Sequence, residues 1–213
     1  MHAILDALSN KEHVIWDWNG TLLDDVHLCV RIISELLVEQ GKAPLSVEQY
    51  RSKFGFPVVD YYARLGFDFD RAPFETVATE FVKRYNERVH QCALFDGVEE
   101  VLENLRDGGL DQSILSAAKE SDLHLLTDSH GIADFFAHRF GIDDHYASGK
   151  VSRGQDLIAQ LGGDKSTFIL IGDTDHDAAV ARTLGVDALL LTGGHHPAAR
   201  LEATGAPVLT FRF

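Results

Sequence analysis

The chain has 213 residues, 45% of them hydrophobic, enough for one ordinary domain or a core domain with a smaller insert. Lys and Arg total 19 against 33 Asp and Glu, and a formal charge of -14 argues against nucleic acid and anionic membranes as partners. Its longest apolar runs are too short to span a bilayer, and its first residues lack a basic start and apolar core, so the sequence predicts a cytoplasmic protein.

Ile4, Leu5 and Leu8 predict a short leading helix over residues 1–11. Val14, Ile15, Trp16 and Trp18 favour a short buried strand, with the tryptophans as core and wall residues, and Asn19-Gly20 breaks it. Asp17 then sits at the strand's carboxyl end. A carboxylate beside a glycine turn that exposes backbone N–H groups suits a cation and a phosphate; an acidic turn after an edge strand is the competing reading. Helices are predicted over Val26 to Glu39, from a capping box at Ser46 and Gln49 to about Lys53, over Val58 to Leu65, and over Ala72 to His90. Four helices without an intervening strand make a compact helical insert. Cys29 and Cys92 lie in helical patterns without a Cys-x-x-Cys spacing and read as packing residues. Arg51 and Lys53, near Gly55-Phe56-Pro57, fit either contacts to an anionic substrate or an exposed helix end.

From about Ala93 the pattern changes. A helix runs from Asp96-Gly97 through Leu105, and Gln112 to Leu115 forms a strand closing at Ser116. Further helices are expected over Asp122 to His130, Arg153 to Leu161 and Ala178 to Leu184, with an extended piece near His138 to Phe140. Strands are expected over Thr167 to Ile171, Ala188 to Leu191 and Val208 to Phe211. Strands alternating with helices predict an α/β fold, a parallel sheet covered on both faces. On such a sheet Asp17, Ser116, Lys150 in a loop, and Asp173 after Gly172 all fall on one edge. Carboxylates with a backbone carbonyl are hard oxygen ligands for Mg²⁺, and a lysine and a hydroxyl complement phosphate charge. Ser116 as a polar strand end, Lys150 as a solvated lysine and Asp177 as a helix N-terminal acid are the bland alternatives. His176, His195 and His196 read as loop or surface residues, since adjacent histidines rarely face one ligand.

Asp17-x-Asn19-x-Thr21, Ser116, Lys150 and Gly172-Asp173-x-x-x-Asp177 resemble, in order and spacing, the four motifs of the haloacid dehalogenase superfamily. The resemblance covers nearly the whole chain and is closest to the phosphoglycolate phosphatase-like branch. It implies a Rossmann-like core of residues 1–22 and 93–213 with a helical cap domain over residues 23–92. It also implies an Mg²⁺-dependent phosphatase acting on a small phosphorylated metabolite. Asp17 would be the nucleophile forming an aspartyl-phosphate. Ser116 and Lys150 would bind the phosphoryl group, with Gly20, Thr21 and Ala117 beside it. Asp17, the Asn19 carbonyl, Asp173 and Asp177 would make up the metal site, Asp177 by orienting Lys150 or a metal-bound water.

Residue 19 departs from the pattern. The family normally has there an aspartate that protonates the leaving group and later activates water, and the amide of Asn19 cannot transfer that proton. General acid–base help is worth about 10²–10⁴-fold. Four outcomes follow: a slow phosphatase, one whose leaving group needs no proton, one that borrows an acid from the cap or substrate, or a non-catalytic phospholigand binder. The acidic pair Asp173 and Asp177 argues against the superfamily's dehalogenases, and no cap lysine is assignable to the imine chemistry of its phosphonate-cleaving members.

Overall fold

Val14, Ile15 and Trp16 are buried and alternate between the faces of strand β1, His13–Trp16. Val14 and Trp16 join one apolar cluster with Ile114, Ile169 and Ile171, while Ile15 joins a second with Leu115 and Leu170. A period of two thus sends one strand's side chains into two cores, which requires cover on both faces of the sheet. The structure is a computed structural model that describes residues 4, 7–142 and 149–210. Much of the predicted leading helix, and Phe211, lie outside the described residues; Ile4 and Leu8 are buried.

After β1 come four helices, α1 (Val26–Glu39), α2 (Val47–Lys53), α3 (Val58–Leu65) and α4 (Phe74–Arg88). Then follow α5 (Val98–Asp107), β2 (Asp111–Lys119), α6 (Glu120–Ser129), β3 (His138–Ile142), α7 (Lys150–Leu161), β4 (Phe168–Gly172), α8 (Asp175–Leu184), β5 (Asp187–Thr192), α9 (Ala198–Glu202) and β6 (Val208–Thr210). The strands form one parallel sheet in the order β3-β2-β1-β4-β5-β6. Leu102, Leu105 and Leu123 of α5 and α6 cover the Trp16 face; Leu157 of α7 and Val180 and Leu184 of α8 cover the Ile15 face. Burying each such side chain stabilises the fold by about 1.5–3 kcal/mol. No described helix is long and apolar enough to cross a membrane.

The helical segment leaves and rejoins the sheet at adjacent points. Asp24 N–H donates to the Ala93 carbonyl at 2.9 Å and Phe95 N–H to the Leu22 carbonyl at 3.0 Å, so the outgoing and returning chains run side by side. Within the segment, Ser46 and Gln49 form the expected capping box. Arg84 bonds Glu35, Glu39 and Glu80, tying α4 to α1.

Three expectations are corrected by hydrogen bonding that the side-chain pattern does not encode. Ser116 does not close β2, which continues to Lys119 through a register shift between Leu115 and Lys119. Lys150 is the first residue of α7, not a loop residue. The 193–197 loop is not a surface loop at its histidines: His195 and His196 are both buried.

Candidate active site

The strand order reverses between β1 and β4, where a doubly wound sheet leaves a crevice at its carboxyl edge. Trp16 pairs with Ile171 there, and the Asp17 N–H continues the ladder to the Ile171 carbonyl at 2.8 Å. Asp17 and Asp173 therefore emerge side by side. The third carboxylate, Asp177, belongs to a capping box: its Oδ2 accepts from the Thr174 N–H at 3.0 Å and hydroxyl at 2.6 Å. That leaves its Oδ1 for Lys150, whose Nζ donates to Asp177 at 2.7 Å and to Asp17 Oδ1 at 2.6 Å. The lysine is 2% exposed and held between two carboxylates 160 residues apart in sequence, a pairing that only the parallel topology produces.

Asp173 is fixed by the Thr21 hydroxyl at 2.8 Å and the His195 N–H at 2.6 Å. Two glycines make room for it. A Cβ on Gly20, whose φ is 74°, would lie 2.5 Å from Asp173 Oδ2, and one on Gly194 would lie 2.1 Å from the same atom. Ser116 is buried and its Oγ accepts from the Ala118 N–H at 3.0 Å, which leaves its hydroxyl proton to donate. Ala117, next to it, is half-buried.

Gly20 and Thr21 are differently engaged from the sequence expectation. The Gly20 N–H turns inward, to Leu23 O at 2.9 Å and Asp25 Oδ1 at 3.0 Å, so it closes its own turn and is not free for a phosphate. The Thr21 hydroxyl serves Asp173. Asn19 places its side-chain Nδ2 3.0 Å from Asp25 Oδ2 and 2.6 Å from Tyr85 Oη, and its main-chain carbonyl accepts no hydrogen bond from the described residues.

Charge explains the packing. Burial pushes Asp17 up to about 7, against the pull of Lys150 and with a push from Asp177 and Asp173. Burial likewise pushes Asp173 up to about 6. Burial opposes the charged form of Lys150, but Asp17 and Asp177 outweigh it and raise its pKa, so the lysine stays cationic. Asp17, Asp173 and Asp177 bring carboxylate oxygens within 4.8 Å of one another. That donor set fits a hard divalent cation, whose charge would offset three buried carboxylates that one lysine balances only in part.

Sequence reasoning missed a second layer. Asp25, 1% exposed, accepts from Gly20, Asn19 and the Tyr85 hydroxyl, and its Oδ1 lies 3.2 Å from His195 Nε2. His195 Nδ1 lies 2.9 Å from the Tyr50 hydroxyl. Burial disfavours the imidazolium, yet Asp25 above all, then Asp173 and Asp17, raise His195 to about 9. Cys29 completes this layer with Sγ 3.5 Å from Asp25; it packs there as expected, and Cys92 is a free thiol. The signal was present only as an acidic doublet, Asp24-Asp25, and a His-His pair, neither of which carries helical or strand periodicity. Arg51 and Lys53 separate: Arg51 donates to the Gly194 carbonyl at 2.7 Å and to the Gly193 carbonyl, clasping α2 to the loop that holds Asp173, while Lys53 is an exposed helix end. His176, expected on a loop or the surface, lies half-buried in the first turn of α8, its ring tilted against that of Phe56 at a centroid distance of 4.8 Å.

Known proteins resemble this chain in sequence and in fold. A phosphoglycolate phosphatase from Caulobacter vibrioides is 26% identical over 210 residues, covering 96% of this chain and 88% of its own. One from Xanthomonas campestris is 29% identical over 190 residues, covering 85% and 83%. A haloacid dehalogenase-like hydrolase from Streptococcus pneumoniae superposes with a TM-score of 0.81 at 19% identity, covering 96% of this chain and 95% of its own, which speaks for the fold. The haloacid dehalogenase-like hydrolase family matches residues 14–191, from the first core strand through the fifth, and the chain belongs to that family.

Proposed function

We propose that this hydrolase is an Mg²⁺-dependent phosphatase that removes phosphate from a small phosphorylated metabolite through an aspartyl-phosphate on Asp17. The observation that carries the reading is the Lys150 ammonium, buried between Asp17 and Asp177 beside Asp173. The relatives named as phosphoglycolate phosphatases support the same reaction class. Asp17, Asp173 and the Asn19 carbonyl would hold the cation, with Asp177 orienting Lys150. When bound, Mg²⁺ supplies charge neutralisation at the phosphoryl oxygens.

The chain's own groups then divide the work. Asp17 offers Oδ2, the oxygen not bonded to Lys150, or releases Oδ1 as the phosphoryl group arrives. Lys150 and the Ser116 hydroxyl meet the charge that spreads over the transferring oxygens, in a site from which burial excludes water. Residues 23–92 act as the cap, closing over the carboxyl edge through Arg51 on Gly193 and Gly194. Phosphate release screened over phosphorylated metabolites with Mg²⁺ tests the reading. Turnover lost on Mg²⁺ chelation and in Asp17→Asn is expected; turnover retained by Asp17→Asn would refute the nucleophile. Thermal stabilisation by Mg²⁺ with beryllium fluoride, without release of phosphate from any compound, would make the protein a phospholigand binder instead.

A further inference from the structure

By the resemblance of the first motif, residue 19 stands where the leaving group would be met, and the side chains around it are hydrogen-bonded to one another. The side-chain amide of Asn19 has two hydrogens and two acceptors, Asp25 Oδ2 at 3.0 Å and Tyr85 Oη at 2.6 Å. The Tyr85 hydroxyl spends its own proton on Asp25 at 2.8 Å. The orientation of the amide is fixed by this triad, because turning it over would set its oxygen against the buried Asp25 carboxylate. Its remaining atom, Oδ1, has no partner among the described residues and can only accept. The nearest imidazole, His195, is engaged at both ring nitrogens, with Asp25 at 3.2 Å and Tyr50 at 2.9 Å.

We propose that Asp25 is a positioning residue which locks Asn19 as a pure hydrogen-bond acceptor, so that the site selects phosphates whose leaving oxygen is weakly basic, aryl or acyl phosphates, over alkyl esters. This rests on the phosphatase reading and narrows it. In the first step an Asp17 oxygen bonds to phosphorus while the bond from phosphorus to the leaving oxygen breaks. The leaving group keeps the electron pair and departs as a phenolate or carboxylate anion, and no proton moves. In the second step water adds to the phosphoryl group and the Asp17 carboxylate is released. Both water protons stay on the phosphate, which leaves as dihydrogen phosphate. The Asn19 Oδ1 can accept a hydrogen bond from that water and hold it in line. An alkoxide, by contrast, has no donor at residue 19 to neutralise it.

The test is the dependence of kcat/KM on leaving-group pKa, measured with Mg²⁺ for acetyl phosphate, a graded series of phenyl phosphates, and glycerol and glycolate phosphates. Wild type is expected to lose roughly tenfold per pKa unit of the leaving group, since full charge develops there unassisted. Exchanging the pair, Asn19→Asp with Asp25→Asn, reverses donor and acceptor across the 3.0 Å contact while keeping it. It is expected to flatten the slope and to speed alkyl phosphates by about 10²–10⁴-fold. A flat slope in wild type would overturn the proposal and place an acid elsewhere, with His176 the first residue to examine. Should the exchanged protein not fold, the wild-type slope decides alone. Absence of turnover with every compound, acetyl phosphate included, would overturn the phosphatase reading itself, and this proposal with it.

Discussion

Replacing Lys150 with methionine removes one ammonium and keeps most of the stem's volume, so its effect reports charge more than packing. Lys150 is 2% exposed, and its ammonium lies 2.6 Å from Asp17 and 2.7 Å from Asp177, two carboxylates with no other cation in contact among the described side chains. Removing one partner of a buried ionic group leaves the other uncompensated, at a cost of about 3–5 kcal/mol. For a chain of this size each kcal/mol lowers Tm by roughly 2–4 °C, so Lys150→Met should melt about 6–20 °C below wild type at pH 8. The loss should depend on pH. Without the lysine, Asp17 and Asp177 are pushed upward, and a carboxyl whose folded pKa lies above its unfolded value gives stability at low pH that is lost as pH rises through the folded value. Asp17 is already raised to about 7 in wild type, so it separates the two proteins only as pH rises past 7, whereas Asp177, which Lys150 holds below the ordinary carboxylate range against burial, begins to separate them at lower pH; the variant is closest to wild type at the acid end. Thermal unfolding followed by circular dichroism at pH 5, 6.5 and 8 measures this. Adding Asp17→Asn to Lys150→Met should recover part of the loss at pH 8. A Lys150→Met protein that melts with wild type at pH 8 would mean that the buried triad does not exist in solution.

Three further outcomes follow from other parts of the molecule. His13, held down at about 4 by burial with only Asp111 opposing, is neutral in the fold and bonded to Ser113 at 2.9 Å. Its depressed pKa gives stability that is present above the unfolded value of 6.5 and lost as pH falls through 4, by about 3 kcal/mol over that window; urea unfolding should show this slope in wild type and lose it in His13→Gln. In Gly194→Ala the new methyl would meet Asp173 Oδ2 at 2.1 Å and the Gly20 carbonyl at 2.4 Å, so Asp173 must move. The Mg²⁺ concentration for half-maximal activity should rise at least about tenfold, and an unchanged Mg²⁺ requirement would take Asp173 out of the metal site. Arg51→Met, which loses its bonds to Gly193 and Gly194, should lower turnover of a small aryl phosphate and of a larger metabolite alike; a loss confined to the metabolite would restore Arg51 as a substrate contact.

The elements were legible where one periodicity dominated. The three-to-four spacing of Val26, Val30, Ile33 and Leu37 is enough to place α1, and the unbroken apolar run before Gly172 is enough to place a strand buried on both faces. Lys150 was not legible as a helical residue. Gly149, which precedes it, has no side chain to cap the helix, so no sequence signal marks the start of α7. Ser116 was misplaced for a related reason: β2 continues past it through main-chain hydrogen bonds across a register shift, which no alternation of side chains records.

The histidine pair and Asp25 failed differently, and their failure says where the site's individuality lies. Motif residues can be read locally because each sits on or just beyond its own strand or in the first turn of its own helix, and topology alone brings them together. Asp25 acquires its meaning only from Tyr85, 60 residues on, and from His195, 170 residues on, through bonds that depend on how the helical segment folds back over the sheet. Asn19 belongs to both classes. Its identity is visible in the first motif, where an amide stands in place of a carboxylate. The reason an amide is needed is visible only when Asp25 is found 3.0 Å away, buried and already ionised by its His195 partner. A carboxylate placed at 19 alone would face that charge across the same distance, and two buried carboxylates at contact cannot both ionise. Asn19→Asp by itself is therefore not a simple restoration of an acid: the residue at 25 decides what the residue at 19 can be, and the chemistry of the first motif is set from outside the motif.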